Sequence, residues 1–458
     1  MYDIAIILVC LGVLIGLAYR GGNLVLLAPV MATVAVILSG KGAVLASFTQ
    51  IFMPATGNFI ISFFPLFLLG AVFGKLMDVT GSAKVLAKRI VLRLGAERAI
   101  LAVILSCAAM TYGGVSLFVV AFAIYPVALR LFRQADLPKR LMPATIALGA
   151  FTFTMSALPG APSIQNAIPM PFFGTTPFAA PGLGIIAAAV MFVGGWRWLE
   201  WRVARIGTGF GTAEESGPQE GEPEGPHILV AALPLVLVLV FNALFTWVVI
   251  PALDTSYLAL PLYGETTVEE VRGVWSVIAA LSLSILVLIG LNIGRLGKVV
   301  RALDDGANDS LLPIFNTAGL VGFGSVVAAL PGFRLITERM LELGTENVLV
   351  SLAVSTSFLA GLTGSASGGM SIALTVLGDN YLGLAQAAGI SPQLLHRVTT
   401  LATGSLDTLP HNGAVITLLA ICGLSHREAY GDLAVVCILL PLLALILVIV
   451  LGTIFGSF

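Results

Sequence analysis

The chain has 458 residues, of which 58% are hydrophobic and 10% charged, with a net charge of −1. Soluble domains carry about 25% charged residues, so this composition and a mean hydropathy of +1.02 exclude that class and describe a polytopic membrane protein. The near-neutral balance gives no argument for a nucleic-acid partner, and without a GxxxxGK[ST] stretch the chain offers no site for ATP to drive its work.

A bilayer crossing needs about 20 predominantly apolar residues. The first spans are Ile4–Leu17, Leu24–Leu38 and Phe59–Met77. The N-terminal stretch lacks a basic lead and a small-residue cleavage site, so it reads as a first span and not as a signal peptide. A basic interfacial segment follows, with Lys84, Lys88, Arg89, Arg93 and Arg98. Residues 99–132 hold two apolar pieces around Thr111-Tyr112-Gly113-Gly114, the first too short to cross, which predicts a re-entrant hairpin. Residues 143–170 read as a helix broken near Leu158-Pro159-Gly160-Ala161-Pro162, and Gly182–Trp198 closes the first half, 1–199. Residues 200–226 are rich in Gly, Pro, Glu and Ser, cannot bury a core, and read as a disordered cytoplasmic linker. The second half, 227–458, holds Ile228–Ile250, Val274–Ile293, Leu311–Leu330, a hairpin over 347–378, a broken helix over 395–425 and a last span, Ala434–Ile454. The sum is about ten crossings and two hairpins. The four Cys lie in apolar runs without C-x-x-C spacing, which predicts small core side chains and no metal site.

The halves match at a nearly constant offset. Phe73-Gly74 recurs as Phe323-Gly324 at 250, Gly81 as Gly332 at 251, Gly95 as Gly344 at 249, and Leu158-Pro159 as Leu409-Pro410 at 251. Gly113 and Ser116 recur as Gly364 and Ser367, also at 251. About five crossings per half would invert the second copy. Charge agrees. First-half connectors are basic, whereas 335–346 holds Arg339 against Glu338, Glu342 and Glu346, and 379–397 a single Arg. By the positive-inside rule the first set is cytoplasmic and the second external, with Arg295, Lys298 and Arg301 keeping the central connector inside and both termini outside. The predicted fold is therefore all-α, with two inverted repeats, each carrying a hairpin and a broken helix. In such folds the solute site lies at the midplane where the breaks meet.

Four breaks should converge, and their polar groups are the candidate substrate ligands. The first holds Tyr112, Gly113, Gly114 and Ser116; the second Gly160, Ser163, Gln165 and Asn166. The third, within TGSASGGMS, holds Thr363, Gly364, Ser365, Ser367 and Gly368; the fourth Asp407, Thr408, His411 and Asn412. Pro frees helix carbonyls, and Gly lets the backbone approach a ligand. Broken backbone at membrane depth is tolerated where it lines a cavity or is buried in protein. Of the 24 carboxylates, Asp407 alone reads as lying deep in a hydrophobic segment. Such a group must be paired or protonated, so it is the candidate proton-coupling residue, with His411 four residues on as its partner or as a substrate donor. His396 and His426 read as solvated segment ends, and Lys75 with Asp78 as an interfacial snorkel or pair. No Lys or Arg falls in a break, which favours a small hydroxy-monocarboxylate over a tricarboxylate.

With TGSASGGMSIAL and SLDTLPHNGAVITLLAICGLSHREAY in view, the chain resembles the gluconate permease family of bacterial proton-coupled symporters, within the ion transporter superfamily. It is most similar to the D-β-hydroxybutyrate permease-like branch. The resemblance is most specific in residues 361–375 and 404–430. It implies an elevator-type fold with a dimerising scaffold, an organic-acid substrate, proton coupling and residence in the bacterial inner membrane, and no cofactor. Sodium-coupled members of the superfamily carry Ser-Asn-Thr at the equivalent tips. Here the tips read Tyr112-Gly113-Gly114 and Gly364-Ser365-Ala366, so those ligands do not carry over. The expected function is uptake of a small organic acid anion with H⁺. A sodium-coupled carboxylate symporter and a cation/proton antiporter are the alternatives. A membrane enzyme would need a nucleophile or metal constellation that the lone DTLPH stretch does not supply.

Overall fold

The computed structural model describes all residues except 1, 21, 41, 116, 208, 211–224 and 334–346. The described residues form helices only. The first are α1 (Tyr2–Tyr19), α2 (Leu24–Ser39), α3 (Val44–Val79) and α4 (Ser82–Leu94). Then come α5 (Ala99–Tyr112), α6 (Leu117–Gln134), α7 (Met142–Ala150), α8 (Phe153–Ser156), α9 (Ile164–Ala167), α10 (Pro169–Phe173) and α11 (Pro181–Ile206). After the linker lie α12 (Ile228–Ala252), α13 (Val268–Leu291) and α14 (Leu296–Ala328). The last are α15 (Val348–Thr363), α16 (Ala366–Ala387), α17 (Pro392–Leu406), α18 (Gly413–Cys422) and α19 (His426–Phe455). Among the described residues, six helices are long and apolar enough to cross a bilayer, and four shorter apolar ones accompany them.

The centre of the fold is the crossing of α14 on α3. Small residues allow it: a Cβ on Gly306 would come within 2.7 Å of Val72 Cα. Glycine at such contacts lets two membrane helices approach closely. Helix α2 packs on α14, and α13 on α3. At 33 residues, α14 spans about 50 Å, more than a hydrocarbon core of about 30 Å. Its N-terminal turns can therefore carry charge. Lys75 of α3 reaches Asp305 and Asp309 there, at 3.5 Å each, so its partners lie on α14 and not at the neighbouring Asp78.

Where hairpins and broken helices are expected, the structure has packed helix pairs and interrupted helices. Hairpin one is α5–α6 and hairpin two α15–α16. The first broken helix has two interruptions, at residues 151–152 and 157–163, because Thr152 adopts a non-helical backbone (φ −113°, ψ −110°) and prolines follow. The polar linker begins later than residue 200, since α11 runs to Ile206. What keeps it helical is Arg202, which clamps Asp432 of α19 with Nε–Oδ1 at 2.7 Å and Nη2–Oδ2 at 3.2 Å, while Trp198 Nε1 donates to the same carboxylate at 3.0 Å. Asp432 is 3% exposed, so Asp407 is not the one carboxylate inside a helix. The expected external connector at 335–346 and the linker residues 211–224 lie outside the described residues. All four Cys are buried and free.

Candidate functional site

The four breaks assemble as two pairs. Hairpin tip one meets the first broken helix. Tyr112 donates its hydroxyl to the Pro159 carbonyl at 2.6 Å, and Gly114, at φ +98°, lies against Pro162, where an added Cβ would come within 3.2 Å of Cγ. The left-handed turn and the close approach both call for glycine here. Gly160 O accepts from Asn242 of α12 at 3.0 Å, and its Cα is covered by Phe178. Ser163 caps α9, its Oγ accepting from Asn166 N and donating to Met155 O. Asn166 is fully engaged: Nδ2 donates to Ala161 O and Pro177 O, and Oδ1 lies 3.1 Å from His396 Nε2. Ser116 lies outside the described residues, so its expected role has no geometry.

Hairpin tip two meets the second broken helix. Gly364, at φ +60°, ends α15 against the His411 ring, and its carbonyl accepts from Asn412 Nδ2 at 3.0 Å. Ser365 caps α16 by accepting from Gly368 N, and Asn412 caps α18 by accepting from Val415 N at 2.9 Å. The N-termini of a 22-residue and a 10-residue helix thus converge, and helix N-termini carry partial positive charge that favours an anion. Ser367 Oγ faces Thr317 Oγ1 of α14 at 3.5 Å, whereas Thr363 bonds back to its own helix. Thr408 turns away: its hydroxyl donates to Cys437 O, freed by a π-helical turn over Val435–Leu439.

Asp407 sits at the C-terminal end of α17, where the helix dipole opposes a negative charge. It is half-buried, and Oδ1 is buried with no hydrogen-bond partner among the described residues; the same holds for His411 Nε2 and Gln165 Oε1. The expected Asp407–His411 pair is therefore not made, because Pro410 breaks the helix between them. Each orphaned polar atom costs about 1–3 kcal/mol. Orphaned atoms also occur outside the breaks, at Thr56, Ser284, Asn316 and Thr399 among others, so it is their position in the second and fourth breaks that singles out Gln165, Asp407 and His411 as candidate ligand contacts.

No protein-family model matches the sequence. Over 449 residues the chain is 44% identical to the uncharacterized transporter YxjC of Bacillus subtilis strain 168, covering 94% of this chain and 95% of that protein. The chain belongs to the YxjC transporter family. The YdaH transporter of Alcanivorax borkumensis, described as having an unusual topology, shares the fold at 16% identity, with a TM-score of 0.53 over 90% of this chain and 89% of that one. The protein is thus a multi-pass membrane transporter and not an enzyme. Among the described residues no group of three or more His, Cys, Asp or Glu side chains converges to hold a metal ion.

Two residues of this transporter's site were missed by sequence reasoning. His396, expected at a solvated end, is 0% exposed, with Nδ1 2.7 Å from Thr175 Oγ1 and Nε2 on Asn166. Both Asn166 amide hydrogens are already given to carbonyls, so its oxygen accepts from His396 Nε2–H and the Thr175 hydroxyl donates to Nδ1. His426, also expected at a solvated end, is half-buried, with Nε2 2.9 Å from Pro410 O. Arg397, expected in an external connector, is also 0% exposed. Both lie on α17, which is buried without interruption from Leu394 to Ser405 and ties the two pairs of breaks together.

The cap at Asn412 is a direct test of this local architecture. Asn412→Ala removes three hydrogen bonds, to Gly364 O, Asp407 O and Val415 N. A stability loss of about 1–2 kcal/mol is expected, read as a lowered thermal midpoint in detergent; an unchanged midpoint would remove Asn412 from the assembly.

Proposed function

We propose that the protein is a proton-coupled symporter of a small hydroxy-monocarboxylate such as 3-hydroxybutyrate or gluconate, of the gluconate permease type, in the bacterial inner membrane. The observation that carries this reading is the unpartnered Asp407 Oδ1 beside two converging helix N-termini. The helix ends and the His411 ring offer an anion site without a contacting cation. The half-buried carboxylate offers a group that can take up a proton and give it back. The packing supports an inverted repeat over 1–199 and 227–458. Helix α3 lies on its repeat mate α14, the mates α13 and α2 lie on α3 and α14 respectively, and α11 lies on its mate α19. An elevator motion of the hairpins and broken helices against a homodimeric scaffold fits that arrangement.

Competition in proteoliposomes tests the substrate class. Uptake of labelled 3-hydroxybutyrate under an imposed pH gradient should be inhibited by excess gluconate or lactate and not by citrate, which needs more fixed positive charge. Inhibition by citrate alone, or uptake driven by sodium without a pH gradient, would overturn the reading.

A further inference from the structure

The breaks hold no Lys or Arg, yet the structure sets one beneath them. Arg397 of α17 is 0% exposed and spends its guanidinium on two backbone carbonyls: Nη1 donates to Ser156 O at 3.2 Å, and Nε and Nη2 donate to Ala179 O at 3.2 and 2.6 Å. Both carbonyls belong to the other half of the chain. Ser156 ends α8, just before the break at 157–163, and Ala179 precedes α11. Neighbouring backbone is shaped around this contact. A Cβ on Gly184 would come within 2.4 Å of Ala157 O and 3.2 Å of Arg397 Nε.

The charge itself is unmatched. No carboxylate among the described residues pairs with Arg397; the titratable side chains within electrostatic reach are the neighbouring His396 and the Tyr112 phenol at hairpin tip one. A buried cation satisfied only by carbonyl dipoles keeps a field that water does not screen, and a buried charge without a counter-ion is costly. The direction of that field matters because of where the guanidinium ends. Ser156, which it holds, packs on Gly404, where an added Cβ would come within 3.0 Å of Ser156 Cβ. Gly404 lies one helical turn before Asp407 on α17. The contact chain Arg397–Ser156–Gly404 thus leads from the guanidinium to the fourth break.

We infer that Arg397 is the specificity-determining positive charge of this transporter: it makes the site select an anion, acting through space from behind the first break without touching the solute. Three of its five N–H groups are given to carbonyls and the side chain is fully buried, so it acts without a direct salt bridge to the substrate. The anion neutralises a charge that the fold has otherwise left unpaired. A neutral analogue of the same shape gains nothing from it. This inference rests on the organic-anion reading above.

The test compares 3-hydroxybutyrate with 3-hydroxybutyramide, its uncharged amide, in proteoliposomes of wild type, Arg397→Gln and Arg397→Lys. In wild type the amide should compete at least about tenfold more weakly than the acid, the size expected for one charge on the order of 10 Å away at an effective dielectric of about 20. Arg397→Gln should raise KM for the acid about tenfold and leave inhibition by the amide unchanged; Arg397→Lys, which keeps the charge but loses the carbonyl fork, should stay near wild type. A purely structural role would weaken acid and amide together, or lower the maximal rate without moving KM, and either outcome overturns the inference. So does a wild type that treats acid and amide alike, a comparison that holds even where Arg397→Gln does not fold. A wild type that takes up no organic acid at all would instead remove the substrate reading.

Discussion

Replacing Asp407 by Asn is expected to abolish accumulation while leaving exchange intact. The amide mimics the protonated carboxylate in shape and neutrality. On the proposed mechanism the substituted carrier can therefore cross loaded, as the protonated wild type does, but can no longer release a proton. With no membrane potential, a gradient of one pH unit supports about tenfold accumulation for one proton per anion, and this should fall to about unity in Asp407→Asn. Counterflow of labelled substrate against unlabelled substrate should continue at a rate of the same order. The half-buried position and the orphaned Oδ1 are what make this substitution sterically mild. Normal accumulation by the variant would make Asp407 a structural residue and move the search for the coupling ion to the hairpin tips.

The second large effect is expected at Gly369, inside the motif around which the second hairpin is built. A Cβ there would come within 2.3 Å of Ala360 Cα and 2.4 Å of Ala360 N, on the backbone of the facing helix α15. Backbone cannot swing aside as a side chain can. Gly369→Ala must therefore part the hairpin, at a cost of about 1–3 kcal/mol for overpacking, and it should lower both thermal stability and transport. Gly383, further along the same helix, has nothing within 4 Å of its added Cβ. There Ala should be neutral or stabilising by up to about 1 kcal/mol, from helix propensity. If the two variants behave alike, the close packing of α15 on α16 is not a determinant of stability.

Much of this architecture was legible in the sequence, for a physical reason. Helix breaks in a membrane protein must be written in Gly and Pro, since no other residue supplies left-handed backbone or removes a donor so cheaply. Gly114, Pro159, Gly364 and Pro410 therefore stood out against apolar surroundings, and each lies where the chain turns or stops. Asp407 stood out because an isolated charge in an apolar run is rare.

What stayed hidden was polarity satisfied at long range. The stretch from His396 to Ser405, with its threonines and an arginine, reads as a helix end near a connector. In the structure it is buried throughout; Thr400, Thr403 and Ser405 bond back to their own helix, while His396 and Arg397 are answered by Thr175, Asn166 and the carbonyls of Ser156 and Ala179. Those partners lie more than 200 residues away in the chain, so no local pattern announces them. Asp432 was misread in the same way, since HREAYGDLA looks like surface until Arg202 of the other half is laid upon it. The linker boundary failed with it, because Arg202 is what holds the end of α11 helical.

Proton movement driven by substrate alone tests the central claim most directly. Proteoliposomes loaded with a pH-sensitive dye would receive 3-hydroxybutyrate or gluconate outside, with equal pH on both sides, no sodium gradient and the membrane potential clamped at zero. The lumen should acidify on addition of substrate, and should fail to do so with Asp407→Asn under conditions where label still exchanges. Uptake of substrate without acidification, dependent on external sodium, would contradict proton coupling and the role given to Asp407.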